Sequence, residues 1–337
     1  MARAYIRRPP GQTALIRHSV QAAFLLLNLW LGVRFYLWVR FFETGGTSVY
    51  VPRPAGVEGW LPIAALMNLK YLLVTGLVPE IHAAGMFLLI AFLGISLVFR
   101  KAFCSWLCPI GTLSEWLWQG GQELFRRNRR LPRWADIPLR SLKYILLGLF
   151  AWVIVRMSAA DLHAFLASPY GLVADVKMLD FFREAGRTTL IVVSVLVILS
   201  VVTKNFWCRY LCPYGALMGL ASLLSPLRIT RDPISCIDCG KCAKACPSLL
   251  PVDKVITVRS VECTGCLTCV TACPVKDALE MRVVKRRLVP AWAMAAGIAI
   301  IFIAVVGFAK TMGYWEPSTP EHVFFDLIPR AATFGHP

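Results

Sequence analysis

The sequence predicts a polytopic α-helical membrane protein with a small α+β domain placed before the last span. Hydrophobic residues make up 57% of the 337 residues, and the mean hydropathy is +0.62. These values are too high for a soluble protein with ordinary surfaces. Long apolar runs recur along the chain and are separated by basic loops. Eight of the twelve cysteines fall in one polar stretch, 236–273, which marks the inserted domain.

Five apolar segments are predicted to cross the membrane, each near the ~20 residues that a bilayer core requires. They are 19–42, 83–99, 141–157, 188–203 and 288–309. Segment 61–79 is apolar but has Lys70 at its centre and prolines at both ends. We interpret it as an interfacial or re-entrant helix. Segment 161–182 is expected to lie at the outer interface as short helices broken at 168–171.

Basic residues set the predicted topology, because loops rich in lysine and arginine stay in the cytoplasm. The cytoplasmic parts are then 1–18, 100–143 and 204–287, whereas 43–82, 158–187 and the tail 310–337 lie in the periplasm. Among the basic residues of loops 100–143 and 204–287 are Arg100, Lys101, Arg126, Arg127, Arg129, Arg130, Arg133, Arg140, Lys204, Arg228, Lys285, Arg286 and Arg287. The net charge of +17 is spread over these loops and forms no single patch, so a nucleic-acid partner is not expected.

The eight clustered cysteines form two C-x₂-C-x₂-C-x₃-C-P runs, the spacing that ligates [4Fe–4S] clusters in bacterial two-cluster ferredoxins. The fourth cysteine of each run ligates the other run's cluster. The two expected ligand sets are therefore Cys236, Cys239, Cys242 and Cys273, and Cys263, Cys266, Cys269 and Cys246. The alternatives are zinc knuckles and disulfides, but zinc usually takes ligands in two separated pairs, a pattern not found here. Segment 228–284 is predicted to be a cytoplasmic two-cluster ferredoxin domain.

A second cysteine motif, C-x₃-C-P-x-G, occurs twice in the membrane domain 19–225, within repeats 102–120 and 206–222. AFCSWLCPIGTLSEWL (102–117) aligns with FWCRYLCPYGALMGL (206–220), 104 residues apart, as a parallel internal repeat. Proline suits the first position of a helix, so Cys108 and Cys212 are expected to cap helices 109–125 and 213–225. The helix dipole is then expected to lower the pKa of each capping thiol.

The four thiols of these motifs are a candidate third site. They are Cys104, Cys108, Cys208 and Cys212. The spacing fixes neither zinc, copper nor iron–sulfur, and reduced structural cysteines at helix starts are the simpler alternative.

Three polar residues near the spans carry weaker hypotheses. Arg34 lies inside the first span, where a charge suggests a functional site, although its side chain can also extend to the outer interface. His82 and His163 stand at the outer ends of spans. A haem pair is one interpretation, and ordinary interfacial histidines are the other.

Taken together, the two C-x₃-C-P motifs and the two-cluster insert between spans resemble polyferredoxin-type membrane proteins of the NapH, NosR and CcoG type. The resemblance covers roughly residues 85–280. Such proteins pass electrons between the quinone pool and partners in periplasmic nitrate or nitrous-oxide reduction, or assist copper-oxidase assembly. We expect neither a large N-terminal flavin-binding domain nor a C-terminal β-sandwich in this protein, which favours the short NapH-like form.

The expected function is electron relay in the bacterial inner membrane. Two [4Fe–4S] clusters would carry electrons between quinol, bound from the lipid phase, and other redox proteins. One alternative is a reductase or maturation factor for a metal centre such as copper, acting through the C-x₃-C-P thiols. Another is a membrane redox sensor, although no output domain is visible.

The topology can be tested with reporter fusions along the chain. A periplasmic reporter joined after residue 130 is expected to be inactive, and one joined after residue 337 is expected to be active, because the arginine-rich loop should stay inside. A cytoplasmic reporter at the same two positions serves as the reciprocal control. The reverse pattern at either position would contradict the assignment.

Overall fold

The computed structural model describes residues 6–9, 11–126, 128, 131–283 and 287–336. Its helices, in chain order, are α1 (Thr13–Glu43), α2 (Pro62–Thr75), α3 (Ala83–Phe99), α4 (Phe103–Trp106), α5 (Pro109–Phe125), α6 (Arg133–Arg156), α7 (Ala159–Ala167), α8 (Pro169–Leu172), α9 (Ala174–Arg183), α10 (Arg187–Val202), α11 (Pro213–Ala221), α12 (Lys241–Ala245), α13 (Thr268–Thr271), α14 (Ala291–Thr311) and α15 (Glu321–Leu327). The strands are β1 (Leu227–Arg231), β2 (Leu279–Val283) and β3 (Arg287–Leu288). Of the basic loop residues, Arg127, Arg129, Arg130, Lys285 and Arg286 lie outside the described residues.

A helix covers or closely matches each segment predicted as a span. These helices are α1, α3, α6, α10 and α14. Within the described residues, α1, α6 and α14 are long and apolar enough to cross a membrane. A fourth candidate is the pair α9 and α10, bent by 80° at their junction. Helix α3 has 17 residues and is only a shorter apolar helix, so the number of five spans stays a prediction.

The chain divides into two compact units. The first unit comprises Met1–Leu25, Phe92–Leu147 and Val195–Ile301, and it contains all twelve cysteines. The second unit comprises Leu26–Ala91, Gly148–Ser194 and Phe302–Pro337.

The segment predicted as the α+β domain lies in the first unit and contains a three-stranded antiparallel sheet in the order β1-β2-β3. Ile229 pairs with Met281 in the centre of the β1–β2 register, and both side chains are buried. The short helices α12 and α13 lie between these two strands in sequence. The N-terminal segment joins the same domain, since Arg7 forms a β-bridge with Val275.

The second unit is built around an aromatic cluster. Phe35, Trp38 and Phe42 lie on one side of α1 because they are three or four residues apart. The ring of Trp38 meets that of Phe324 in α15 edge to face, with the centroids 5.0 Å apart. The cluster also buries Leu327 and Ile328. The tail, which carries no recognisable sequence motif, therefore folds against α1.

A buried ionic network lies beside this cluster. Arg53 contacts Glu58 at 2.9 Å and Asp175 at 2.6 Å. Burial alone would raise the pKa of Glu58, but Arg53 and His82 lower it to about 2. The His82 ring contacts Glu58 through Nδ1 at 3.2 Å and the Gly171 carbonyl through Nε2 at 2.9 Å. Both nitrogens are engaged within the protein, which favours a buried structural histidine over a haem ligand.

Lys70 and Arg34, the two charged residues singled out in the apolar segments, make contacts close to their own helices. Lys70 donates hydrogen bonds to the carbonyls of Ile154, Val155 and Met157, and so caps the end of α6. Its own helix α2 has 14 residues, or about 21 Å at 1.5 Å per residue. That length is short of the ~30 Å hydrocarbon core. Arg34 lies over the Trp30 ring at 5.0 Å.

Two adjacent glycines of α5 provide a stability test. A β-carbon on Gly121 would lie 2.0 Å from the Val201 carbonyl oxygen of α10, whereas one on Gly120 would meet nothing within 4 Å. We expect Gly121→Ala to force α5 and α10 apart, at a cost of about 1–3 kcal/mol. Thermal unfolding of the detergent-solubilised protein measures this change.

Gly120→Ala is the matched control. It should be neutral or slightly stabilising, because alanine is the better helix former by about 1 kcal/mol. Equal destabilisation by the two substitutions would rule out the close helix contact as the cause.

Candidate functional site

The first pocket of the ferredoxin-like segment is lined by four thiols, from Cys236, Cys239, Cys242 and Cys273, around about 380 Å³ of empty space. We call it pocket I. Three of its cysteines come from the first run and one from the second. Cys239 is exposed, so pocket I lies near the protein surface.

The second pocket, pocket II, has about 350 Å³ of empty space. Its thiols belong to Cys246, Cys263, Cys266 and Cys269, again three from one run and one from the other. All of these except Cys266 are buried. The two pockets thus gather the cysteines in the same crosswise groups that the ferredoxin spacing predicts.

The same backbone geometry brings the cysteines together in both runs. The residues on either side of the second cysteine have positive φ angles: 53° at Asp238 and 66° at Gly240 in the first run, and 63° at Gly265 and 60° at Leu267 in the second. Positive φ is uncommon outside glycine, so such paired angles at equivalent positions mark a specific loop. This loop directs successive thiols into a common pocket.

The chemistry of the donor sets fits iron–sulfur clusters. Four cysteines per pocket is the usual complement for a [4Fe–4S] cluster. Within the described residues, which include all twelve cysteines, none forms a disulfide. Burial raises the pKa of Cys246 to about 12, and burial also raises that of Cys269. Ligation requires thiolates, so cluster binding at these buried sites must release protons.

The two C-x₃-C-P motifs adopt matching caps, as predicted. Cys108 caps α5, and its sulfur accepts a hydrogen bond from Gly111 N at 3.4 Å. Cys212 caps α11, and its sulfur accepts one from Gly215 N at 3.2 Å. The first helix has the predicted bounds, whereas α11 ends at Ala221 and is followed by a 3₁₀ turn, Ser222–Leu224. A β-carbon on Gly111 would lie 2.1 Å from the Cys104 carbonyl oxygen, which explains the glycine of the first motif.

The thiols of the two motifs lie close enough to act on one another. Burial raises the pKa of Cys208, and the other three thiols, from Cys104, Cys108 and Cys212, raise it further. Burial raises the pKa of Cys104 to about 11 and that of Cys108 to about 12. The pKa of Cys108 is therefore raised overall and not lowered as predicted, because desolvation outweighs the hydrogen bond from the Gly111 N–H at the helix terminus.

A third pocket joins the C-x₃-C-P thiols to the ferredoxin-like segment. We call it pocket III, and it has about 510 Å³ of empty space. Cys104 and Cys208 line it, together with Cys266, Lys101 and Glu262. Cys266 also lines pocket II, so the two pockets share a wall.

Sequence patterns alone do not reveal the charged residues around pocket III. Glu262 accepts hydrogen bonds from Lys143 Nζ at 2.7 Å and from the Tyr144 hydroxyl at 2.8 Å. Lys101 Nζ lies 3.8 Å from the same carboxylate. Burial alone would lower the pKa of Lys101, but its interactions with Cys104 and Glu262 raise it overall. The only sequence signal was the position of Glu262 next to Cys263.

Two further buried ion pairs hold the C-x₃-C-P motifs in place. Arg17 makes a two-pronged contact with Glu115 of α5, with both distances 2.6 Å. Arg209, between the cysteines of the second motif, contacts Asp136 of α6 at 2.9 Å. Among the described residues, no three histidine, cysteine or acidic side chains are already arranged around a single metal-ion position.

Comparisons with protein families match the same regions. A family model described as a 4Fe-4S dicluster domain matches residues 229–281. A second, described as a 4Fe-4S binding domain, matches twice, at 81–132 and at 186–231, and each match contains one C-x₃-C-P motif. No solved structure is significantly similar to the chain.

Comparisons with curated proteins find several relatives. The chain is 53% identical over 326 residues to the putative electron transport protein YccM of Escherichia coli, which covers 95% of this chain and 91% of the relative. It is 27% identical over 205 residues to the methylamine utilization ferredoxin-type protein MauN of Paracoccus denitrificans (60% of this chain, 62% of the relative). It is 26% identical over 155 residues to the ferredoxin-type protein NapH of E. coli (44% and 48%).

The near full-length similarity to YccM, whose name describes a putative electron transport protein, agrees with the paired cysteine pockets and with the apolar helices. We conclude that the chain belongs to the NapH-like family of membrane polyferredoxins.

Proposed function

We propose that this iron–sulfur electron-transfer protein relays electrons between the membrane quinol pool and redox partner proteins. The observation that carries the proposal is the shared wall of pockets II and III at Cys266. It supports a continuous path between the ferredoxin clusters and the thiols of the C-x₃-C-P motifs. The electron-transport relatives support redox partners in general, and the choice of quinol rests on the apolar helices.

In this proposal each ferredoxin pocket holds one [4Fe–4S] cluster. Pocket I uses Cys236, Cys239, Cys242 and Cys273, and pocket II uses Cys246, Cys263, Cys266 and Cys269. When bound, each cluster accepts or donates one electron. The protein tunes them through hydrogen bonds to sulfur, for instance from Leu250 N to Cys246 at 3.4 Å and from the Thr268 hydroxyl to Cys266 at 3.3 Å.

The C-x₃-C-P thiols would hold a third centre. The four thiols lie close enough to influence one another's pKa, and a thiophilic cation bound among them would hold them as thiolates. The set is Cys104, Cys108, Cys208 and Cys212. Four thiolates suit iron–sulfur, zinc or copper(I). The description of the repeated family match favours iron–sulfur.

The solvent exposure of the cysteines supports an order of the three centres in the electron relay. Cys239 of pocket I is exposed, so that cluster would exchange electrons with a soluble partner. Pocket II is buried and adjoins pocket III, so its cluster would pass electrons to or from the third centre. The third centre would then face quinol in the lipid phase. The proposal includes five spans, a parallel repeat, a cytoplasmic ferredoxin domain and a periplasmic tail in the bacterial inner membrane.

Exchange of the fourth cysteine tests the crosswise ligation. Cys246→Ser should damage the cluster of the second run, with Cys263, Cys266 and Cys269, and spare the cluster of its own run. Cys273→Ser is the matched control: it should damage the cluster of the first run, with Cys236, Cys239 and Cys242, and spare the cluster of the second run. Electron paramagnetic resonance (EPR) spectra of anaerobically purified protein distinguish the two signals. Total iron from this domain should be about eight per chain in the parent.

Loss of the cluster in the same run as the exchanged cysteine would contradict the crosswise assignment. About four irons, or one zinc per site, in the parent protein would remove the two-cluster assignment altogether.

Exchange of Cys208 to serine tests the third centre. It should abolish a third redox signal and lower bound metal, while both ferredoxin signals remain, because Cys208 does not line pocket I or II. EPR and metal analysis measure the loss. A loss of copper in place of iron would favour the metal-maturation alternative, and unchanged metal content would remove the third centre from the proposal.

A further inference from the structure

Lys101 is a buried ammonium group beside the C-x₃-C-P thiols. It is 3% exposed and lines pocket III with Cys104 and Cys208. A β-carbon built on Gly215 would lie 3.4 Å from Lys101 Nζ and 3.6 Å from Cys212 Sγ, so the ammonium and this sulfur flank the same point. Both C-x₃-C-P motifs therefore have a thiol near this one positive charge.

The carboxylate of Glu262 does not fully neutralise the charge of Lys101. Lys143 Nζ makes the close contact with Glu262 at 2.7 Å, and the Tyr144 hydroxyl makes another at 2.8 Å. Lys101 stands farther off, at 3.8 Å. Two ammonium groups share one carboxylate, so the region keeps a net positive charge that faces the thiols.

The corresponding lysine of the second repeat is arranged differently. Lys204 precedes Cys208 much as Lys101 precedes Cys104. Its Nζ donates to the Lys244 carbonyl at 3.0 Å and lies 4.6 Å from the centroid of the Trp118 ring. The repeat therefore supplies two lysines in similar sequence positions with different surroundings, and these form a natural matched pair.

We propose that Lys101 is a positioning residue that sets the reduction potential of the third centre. This inference rests on the proposed third centre. A buried thiolate-bound centre becomes more negative when it gains an electron, and a fixed positive charge nearby in low dielectric favours that reduced state. Lys101 keeps its proton throughout and forms no covalent bond. The single electron comes from quinol or, in the test, from dithionite.

The test is an EPR-monitored redox titration of the anaerobically purified full-length protein. The signal to follow is the one lost in Cys208→Ser. Lys101→Gln should lower its midpoint potential by at least about 59 mV, which corresponds to a tenfold change in a one-electron equilibrium. Lys101→Arg should keep the midpoint potential close to that of the parent because it keeps the positive charge. Lys204→Gln should also leave the midpoint near that of the parent.

The outcomes separate this inference from the function on which it rests. If the parent has no third signal, both are overturned. If a third signal is present but Lys101→Gln leaves its potential unchanged, or Lys204→Gln shifts it equally, only the role of Lys101 is overturned.

A second variant decides the question if Lys101→Gln does not accumulate. Glu262→Gln removes a negative charge from the same cluster of residues, so it should raise the midpoint of the third signal. A raised midpoint supports the electrostatic role, because structural damage alone gives no reason for Glu262→Gln to shift the midpoint potential in the direction opposite to Lys101→Gln. A lowered or unchanged midpoint overturns it.

Discussion

The buried carboxylate of Glu262 is the interaction on which the first unit most depends. It directly precedes Cys263, and it binds Lys143 and Tyr144 of α6 at 2.7 and 2.8 Å. It therefore fixes the second ferredoxin run against an apolar helix and, through Lys101, against the first C-x₃-C-P motif. Removal of one member of such a buried group leaves an uncompensated charge, which typically costs 3–5 kcal/mol.

Each C-x₃-C-P motif has an equivalent anchor of its own. Arg17 and Glu115 hold the first motif to α1, and Arg209 and Asp136 hold the second to α6. These pairs are largely desolvated, and each fixes the position of one motif relative to a helix. A defined geometry is what electron transfer between fixed centres needs. The positions of the thiols thus depend on ion pairs that are distant in sequence.

The thiols themselves make folding and metal loading interdependent. Burial keeps the pKa of Cys104, Cys108 and Cys246 near 11 to 12, so these groups are neutral at physiological pH when nothing is bound. A cluster at Cys246, and the proposed third centre at Cys104 and Cys108, would convert them to thiolates and supply positive charge. The pockets are therefore expected to be most stable in the loaded protein.

The sequence by itself determined the features that depend on local interactions. Long apolar runs became helices because a helix satisfies its own backbone, and Cys108-Pro109 and Cys212-Pro213 became helix starts because proline fits the first turn. Only the tertiary structure decided which charges meet the thiols: Lys101 and Lys204 look alike in sequence, yet only Lys101 lines pocket III. It also reversed the expected pKa shift of Cys108 and placed α15 against α1. Burial and contacts such as Lys143–Glu262 depend on residues far apart in the chain, so the spacing of residues along the sequence does not reveal them.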